Sequence, residues 1–365
     1  MEDLSKYSLE ELKALEAKYQ NIAESKHTDQ LALKILINSL YGALSNFHFI
    51  LANSENAAAV TASGRFFIRL LSENIENALN KIIPSKVSRL SSGDTDSIYY
   101  TVKDFVHKKF GMDVTRFTPG VIDWVDKFEQ TVIQKVIEET IQQYSNVLNI
   151  HDPSQIGVER EIIADSAVFV AKKKYFARVL DAEGVRYPLD NPKLKIMGLE
   201  VARSSTPEWV RIKLKESINV ILDTTEYGLK KWRDEVKADF QNQPIRSISM
   251  TAGISSLDYQ LGDKGIPQGP KSALVHNKWV EENDMQDVIE LLTPGEKYKR
   301  CYLKQPNRFG SEVISYFDDR IANIIAEDKI YDYSLNFEKY FENPLENMTK
   351  GLGYNISSEY ALDEW

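Results

Sequence analysis

Two aspartates separated by one residue are the first side chains in this sequence whose type and spacing could do chemistry. They lie in Val87-Ser-Arg-Leu-Ser-Ser-Gly-Asp94-Thr-Asp96-Ser-Ile-Tyr-Tyr-Thr-Val102. The segment reads as two short strands joined at Gly93-Asp94-Thr95-Asp96. Val87, Leu90, Ile98, Tyr99, Tyr100 and Val102 are strand formers, and the Ser-Ser-Gly-Asp cluster supplies a turn. In an extended backbone residues two apart leave the same face, so both carboxylates would point one way. Like charges held that close repel, and a hard divalent cation such as magnesium between them removes the repulsion. A solvated Gly/Ser turn carries the same residues, and this stretch alone leaves both readings open.

A second set lies near the end of a long helical pattern, residues 9 to 42, which has no Gly or Pro before Gly42. Ser8 with Glu11 predicts a capping box at its start, and Gly42 is expected to stop it. At 1.5 Å per residue the pattern makes a rod roughly 50 Å long, more a projecting arm than a buried core helix. Gln30, Lys34, Asn38 and Tyr41 are spaced to share one face. Around them Leu31, Leu33, Ile35, Leu36, Ile37 and Leu40 are expected to pack. One cation, two amides and an aromatic suit a phosphorylated ligand with a flat base. An ordinary polar stripe on an amphipathic helix fits the same spacing.

The third set is basic. Lys172, Lys173 and Lys174 interrupt a strand-like run between Ala167-Val-Phe-Val-Ala171 and Tyr175-Phe-Ala-Arg-Val-Leu180. Alternation along one strand would put Lys172 and Lys174 on one face, Lys173 and Tyr175 on the other. Such an edge fits contact with a phosphate backbone, and equally an edge strand protected by lysines.

The elements that must position these groups predict an α+β fold. At 365 residues the chain has room for two or three domains, and 42% hydrophobic with 27% charged residues is a soluble composition. A lone cysteine, Cys301, excludes a disulfide framework, so a cytoplasmic setting is expected. The net charge of -9 argues against indiscriminate nucleic-acid binding but not against a local basic groove. A second helix is predicted from about Glu55 to Lys81, capped by Asn53 or Ser54, and helices follow between Val121 and Asn149. Strands follow from 156 to 190 with a turn at Asp181-Ala-Glu-Gly184, then a strand into Gly198. Ser205-Thr206-Pro207-Glu208 starts a largely helical stretch to Phe240. Gly265 to Lys271 is a loop, and a last helix is predicted from Ser311 to Ala326.

Taken in order these segments resemble family B DNA polymerases. Lys34-Ile-Leu-Ile-Asn38-Ser-Leu-Tyr41-Gly42 is similar to their motif B, and Ser92-Gly-Asp94-Thr-Asp96-Ser97 to their motif C. Lys172-Lys-Lys-Tyr175 resembles the primer-contacting lysine-tyrosine motif. Lys193-Leu-Lys-Ile-Met-Gly-Leu-Glu200 with Ser204-Ser-Thr-Pro207 is similar to the palm-to-thumb junction of T-even-type phage replicative polymerases. Gly269-Pro-Lys271 with His276, Arg308-Phe-Gly310 and Pro344-Leu-Glu346 resemble their thumb.

The resemblance implies a fingers helix at 1–45, the C-terminal part of a palm at 46–191, a thumb at 192–356 and a clamp-binding tail at 357–365. Lys34 would meet the triphosphate of a dNTP, with Gln30 and Asn38 beside it and Tyr41 against the nascent base pair. Asp96 would hold two magnesium ions with Asp94 adjacent, and Glu161 is the best match for a further palm acid. Lys172, Lys173, Lys174, Tyr175, Lys195 and Arg203 would hold primer-template DNA. Leu362 and Trp365 would anchor the tail on a sliding clamp.

The departures imply as much. Motif A, an Asp before a Ser-Leu-Tyr-Pro-like run preceding motif B, has no match; Asp332-Tyr-Ser-Leu-Asn336 lies after motif C and lacks the proline. Asp181-Ala-Glu183 imitates an exonuclease Asp-x-Glu but reads as a turn. The expectation is the C-terminal subunit of a split phage polymerase, working in an infected bacterium. Its partner chain would bring motif A and the 3′-5′ exonuclease. The competing expectation is a non-catalytic DNA-binding or processivity subunit that keeps palm and thumb.

Overall fold

A computed structural model describes residues 6–112, 114 and 116–356. The chain divides into two compact units, Met1–Thr101 with Val132–Gly157, and Val102–Thr131 with Val158–Trp365. Both mix helices with small antiparallel sheets, as an α+β chain should. Among the described residues no helix is long and apolar enough to cross a membrane.

The first unit opens with α1, Leu9–Ser45, followed by α2, Ser54–Ile82. The predicted capping box is present: Ser8 Oγ accepts from the Glu11 amide at 3.3 Å, and Glu11 Oε2 accepts from the Ser8 amide at 2.8 Å. Gly42 does not end α1. Glycine in a helix interior costs only about 1 kcal/mol, and the helix continues until Asn46 takes an extended backbone. The expected packing of the leucines and isoleucines is also overturned. No described residue of α1 is buried, and Leu36, Ile37 and Leu40 are each more than 60% exposed. An amphipathic arrangement buries a stripe, whereas here apolar residues run all round the helix.

Asn53 caps α2 by accepting from the Asn56 amide at 2.9 Å. The hairpin of β1, Leu90–Asp94, and β2, Ser97–Tyr100, follows. Then come α3, Lys103–Phe110, and α4, Pro119–Phe128, both in the second unit. The first unit resumes with α5, Gln134–Leu148. Leu71, Ile75 and Leu79, four residues apart on α2, are buried where that helix packs on α5. Tyr144 of α5 sets its ring 4.9 Å from that of Phe67 and donates its hydroxyl to Ser63 O at 3.2 Å.

In the second unit β3, Ile162–Ala171, pairs with β4, Lys174–Ala182. The other edge of β4 takes β5, Val185–Arg186, and β6, Lys193–Met197. The β4–β5 turn falls at Glu183 and Gly184, both at positive φ, so Asp181-Ala-Glu183 is the hairpin it was read to be. Helices α6, Glu208–Asp223, α7, Glu226–Phe240, and α8, Ile245–Ile248, come next. They share one hydrophobic core with β7, Met250–Gly253, α9, Gln268–Glu282, β8, Lys297–Tyr302, and β9, Val313–Tyr316, and with α10, Asp319–Glu327, α11, Tyr333–Phe337, and α12, Asn343–Thr349. The three strands pair antiparallel in the order β7-β8-β9. The helix expected from Ser311 to Ala326 is therefore a strand and then a helix. Val313 to Tyr316 are all buried, and so short an apolar run suits either element until its neighbours decide.

One buried ion network ties β4 to the end of α6. Arg178 is 2% exposed, bonding Asp165 Oδ1 and Asp223 Oδ1, each at 2.7 Å, and Ser166 Oγ at 3.0 Å. Truncating Arg178 strands the buried Asp165 carboxylate, while Asp223 stays partly exposed and keeps Arg116. Arg178→Ala should lower unfolding stability by about 3–5 kcal/mol in urea titration, and a loss below about 1 kcal/mol would show that the network does not hold these elements.

Candidate active site

Asp94 closes β1 opposite Ser97, so Thr95 and Asp96 form a two-residue turn, with Thr95 at φ 45°. The two aspartates therefore do not alternate along one extended strand as expected. A left-handed residue between them breaks that geometry, and they bracket the tip of the hairpin instead. Asp94 is half-buried and Asp96 exposed. Thr95 donates its hydroxyl to Asp94 Oδ1 at 3.1 Å, and Ser97 donates to Asp94 O at 3.3 Å.

The base of the hairpin is pinned to α2 by groups that the sequence did not single out. Arg89 is 3% exposed, and its guanidinium donates to Asn80 Oδ1 at 2.7 Å and to Ile83 O at 2.6 Å. Its amide donates to both oxygens of Glu76, at 3.2 and 3.0 Å, and its carbonyl accepts from Thr101 N–H at 2.9 Å. The only sequence signal was an arginine one residue before the strand, between Ser88 and Leu90. Also in the first unit, α1 carries Gln30, Lys34, Asn38 and Tyr41, all exposed. Among the described residues Lys34 forms no ion pair. α2 packs against both α1 and the hairpin, so one helix supports both halves of this set.

The basic set belongs to the second unit. Lys172 and Lys173 are the exposed turn of the β3–β4 hairpin, with Lys173 at φ 61°, and Lys174 begins β4 opposite Ala171. The expected alternation along a continuous strand fails because the chain reverses there. Register places Tyr175 opposite Met197 and Lys195 opposite Ala177, so Tyr175 and Lys195 share a sheet face. The ring of Tyr175 lies 5.4 Å from that of Phe169. Lys195 Nζ pairs with Glu161 Oε1 at 2.5 Å, and Arg203 approaches Glu200 at 3.6 Å.

Gly198 seats the lysine turn. It sits at φ 66°, and a Cβ there would stand 2.2 Å from Lys173 O.

The donors suit a hard cation but not a full two-ion set. Asp94 and Asp96 offer carboxylate oxygens at an accessible turn, while no group of three or more His, Cys, Asp or Glu is placed to hold a metal among the described residues. Glu161, the further acid expected, lies in the other unit against Lys195. Leu362 and Trp365 fall outside the described residues.

Residues 10–116 match the model of DNA polymerase family B, and this stretch contains Gln30, Lys34, Asn38, Tyr41, Asp94 and Asp96. Over 378 residues the chain is 31% identical to a DNA-directed DNA polymerase of Escherichia phage RB69, covering 99% of this chain and 41% of that protein. The DNA-directed DNA polymerase of Enterobacteria phage T4 is 28% identical over 380 residues, covering 100% of the chain and 41% of the relative. A DNA polymerase of Trichoplusia ni ascovirus 2c is 26% identical over 287 residues, 76% of the chain and 23% of the relative. The chain thus spans about two fifths of the length of the two phage polymerases it matches.

If Gly198 seats the lysine turn, Gly198→Ala should destabilise the protein by about 2 kcal/mol or more and expose the amides of residues 172–174 to faster hydrogen exchange. Unchanged exchange at the turn would remove Gly198 from that role.

Proposed function

We propose that this chain is the C-terminal subunit of a template-directed DNA polymerase, transferring a nucleotide from dNTP to a primer 3′-hydroxyl. The observation that carries the reading is the pair of carboxylates at the tip of the hairpin, which packs on the same α2 that contacts the Lys34 helix, inside the segment that matches the family. In this reading the first unit holds the incoming nucleotide and the second holds duplex. The fingers, palm, thumb and tail boundaries expected from the sequence belong to the same proposal, as does action in a bacterial host's cytoplasm.

Two magnesium ions, when bound, would lower the pKa of the primer hydroxyl and neutralise the triphosphate and departing pyrophosphate. Asp96 and Asp94 would supply part of their ligands. Lys34 places a positive charge on the leaving side, where negative charge grows. Asn38 and Gln30 offer amides to the triphosphate, and Tyr41 presents a flat surface against which a misfitting base pair clashes. Lys172, Lys173, Lys174, Tyr175, Lys195 and Arg203 would hold primer and template phosphates. Glu161, paired with Lys195, stays the further palm acid that the resemblance implies.

Two carboxylates are too few for two ions, so the reading requires a third from polypeptide beyond this sequence. A partner chain with motif A and the exonuclease would supply it. The exposed leucines and isoleucines of α1 give such a partner an apolar surface to cover. The tail carrying Leu362 and Trp365 would dock on a sliding clamp.

Asp96→Ala should cut synthesis by the reconstituted enzyme roughly a thousandfold or more, the scale of lost charge stabilisation at the reacting phosphate, with duplex binding kept. Undiminished synthesis would favour the non-catalytic DNA-binding subunit. Deleting residues 360–365 should shorten products made with the clamp present and leave clamp-free synthesis unchanged; equal product lengths with clamp would remove the tail from this role.

A further inference from the structure

From Leu12 to Ala43, α1 keeps a spacing of alternately three and four residues. Leu12, Leu15, Tyr19 and Ile22 come first, Lys26 and Asp29 fall in the middle, and Leu33, Leu36, Leu40 and Ala43 follow. The average step is about 3.5 residues, the period that keeps one stripe of a helix facing a second helix along its whole length. It persists past the three or four heptads by which a coiled coil is recognised. Leu12, Leu15 and Ala43 are half-buried, and the other positions of the stripe are exposed. No described residue of α1 is buried, so the chain itself does not cover this stripe.

The two charges decide what can cover it. Lys26 and Asp29 are exposed, and among the described residues neither forms an ion pair. A charge pressed unpaired between apolar helices costs several kcal/mol. A parallel copy would set each charge on its own kind, Lys26 on Lys26 and Asp29 on Asp29. Antiparallel pairing with a two-fold axis between His27 and Thr28 instead sets Lys26 of each copy on Asp29 of the other. That register also carries Ile22 onto Leu33, Tyr19 onto Leu36, Leu15 onto Leu40 and Leu12 onto Ala43. Sliding one helix by a heptad would bury the two charges against Leu36 and Leu33, or against Ile22 and Tyr19. A lysine on the seam fixes register in this way at a cost in stability.

We propose that α1 pairs with α1 of a second copy of this chain as an antiparallel coiled coil, held in register by reciprocal Lys26–Asp29 ion pairs. Helical geometry puts Lys34, Asn38 and Tyr41 on the far side of α1 from this seam, so the pairing leaves those three uncovered. The pairing stands on α1 alone and goes beyond the polymerase reading. Where that reading holds, the copy and a motif A chain compete for one helix, and the unassembled subunit keeps its apolar stripe out of water.

Sedimentation equilibrium of the full chain measures the pairing for the native protein, Lys26→Asp, Asp29→Lys and the variant with both substitutions. The native chain should reach twice its monomer mass. Each single substitution sets like charges together in both central layers and should raise the dimer dissociation constant about tenfold or more. The double variant exchanges the signs and should pair like the native chain. An equimolar mixture of the two single variants should also pair, because each central layer regains opposite charges. Both substituted side chains are exposed, and thermal unfolding checks that every variant keeps its fold. A native chain that stays monomeric would overturn the pairing and leave α1 to the motif A chain. A dimer indifferent to both single substitutions would put the contact elsewhere on the chain and sink the proposal, as would failure of the mixture to pair. None of these outcomes decides the polymerase reading, which is tested by synthesis.

Discussion

The buried guanidinium of Arg89 is what the candidate active site stands on. A two-stranded ribbon is marginal alone in water, and this one must also hold two carboxylates at its tip. Like-charge repulsion there would open the turn. Arg89 opposes this from below by joining Asn80, Ile83 and, through its backbone, Glu76 and Thr101. Glu76, Asn80 and Ile83 lie on or just after α2, so the hairpin inherits the rigidity of a helix that packs on α5. The base of the ribbon stays fixed while Asp94 and Asp96 sit at its tip.

The first unit is otherwise open. A 37-residue helix with no buried side chain gains little from its own packing, and its apolar residues lie in water. That is expensive for a lone arm and ordinary for one that a second polypeptide covers. The second unit is the opposite case. It has a large hydrophobic core and an ion network around the buried Arg178 between β4 and α6. A net charge of -9 does not preclude a local basic patch, because the field that matters is local.

Much of this was legible in the sequence where local chemistry decides. Ser8 with Glu11 marked the start of α1, Asn53 or Ser54 that of α2, and Asp181-Ala-Glu-Gly184 a turn, since capping and left-handed turns depend on a few adjacent residues. What was not legible depends on partners distant in sequence. Lys172 to Lys174 read as part of a strand because nothing local says where a chain of strand formers will reverse; Gly198 and the β4–β6 register settle it. Val313 to Tyr316 read as helix because a short apolar run has no period of its own. Arg89 stayed invisible because its role comes from α2, which approaches only in the folded chain. The Asp94–Asp96 pair was found by type and spacing, but its geometry was misread by assuming one extended strand.

The central claim is that Asp94 and Asp96 are part of a polymerase active site completed by polypeptide that this sequence does not contain. Primer extension measures it most directly, with purified chain alone and mixed with a polypeptide carrying motif A, under magnesium and all dNTPs. The account predicts no template-dependent incorporation by the single chain and restored synthesis in the mixture. Template-dependent synthesis by the single chain, or none in the mixture, would contradict it.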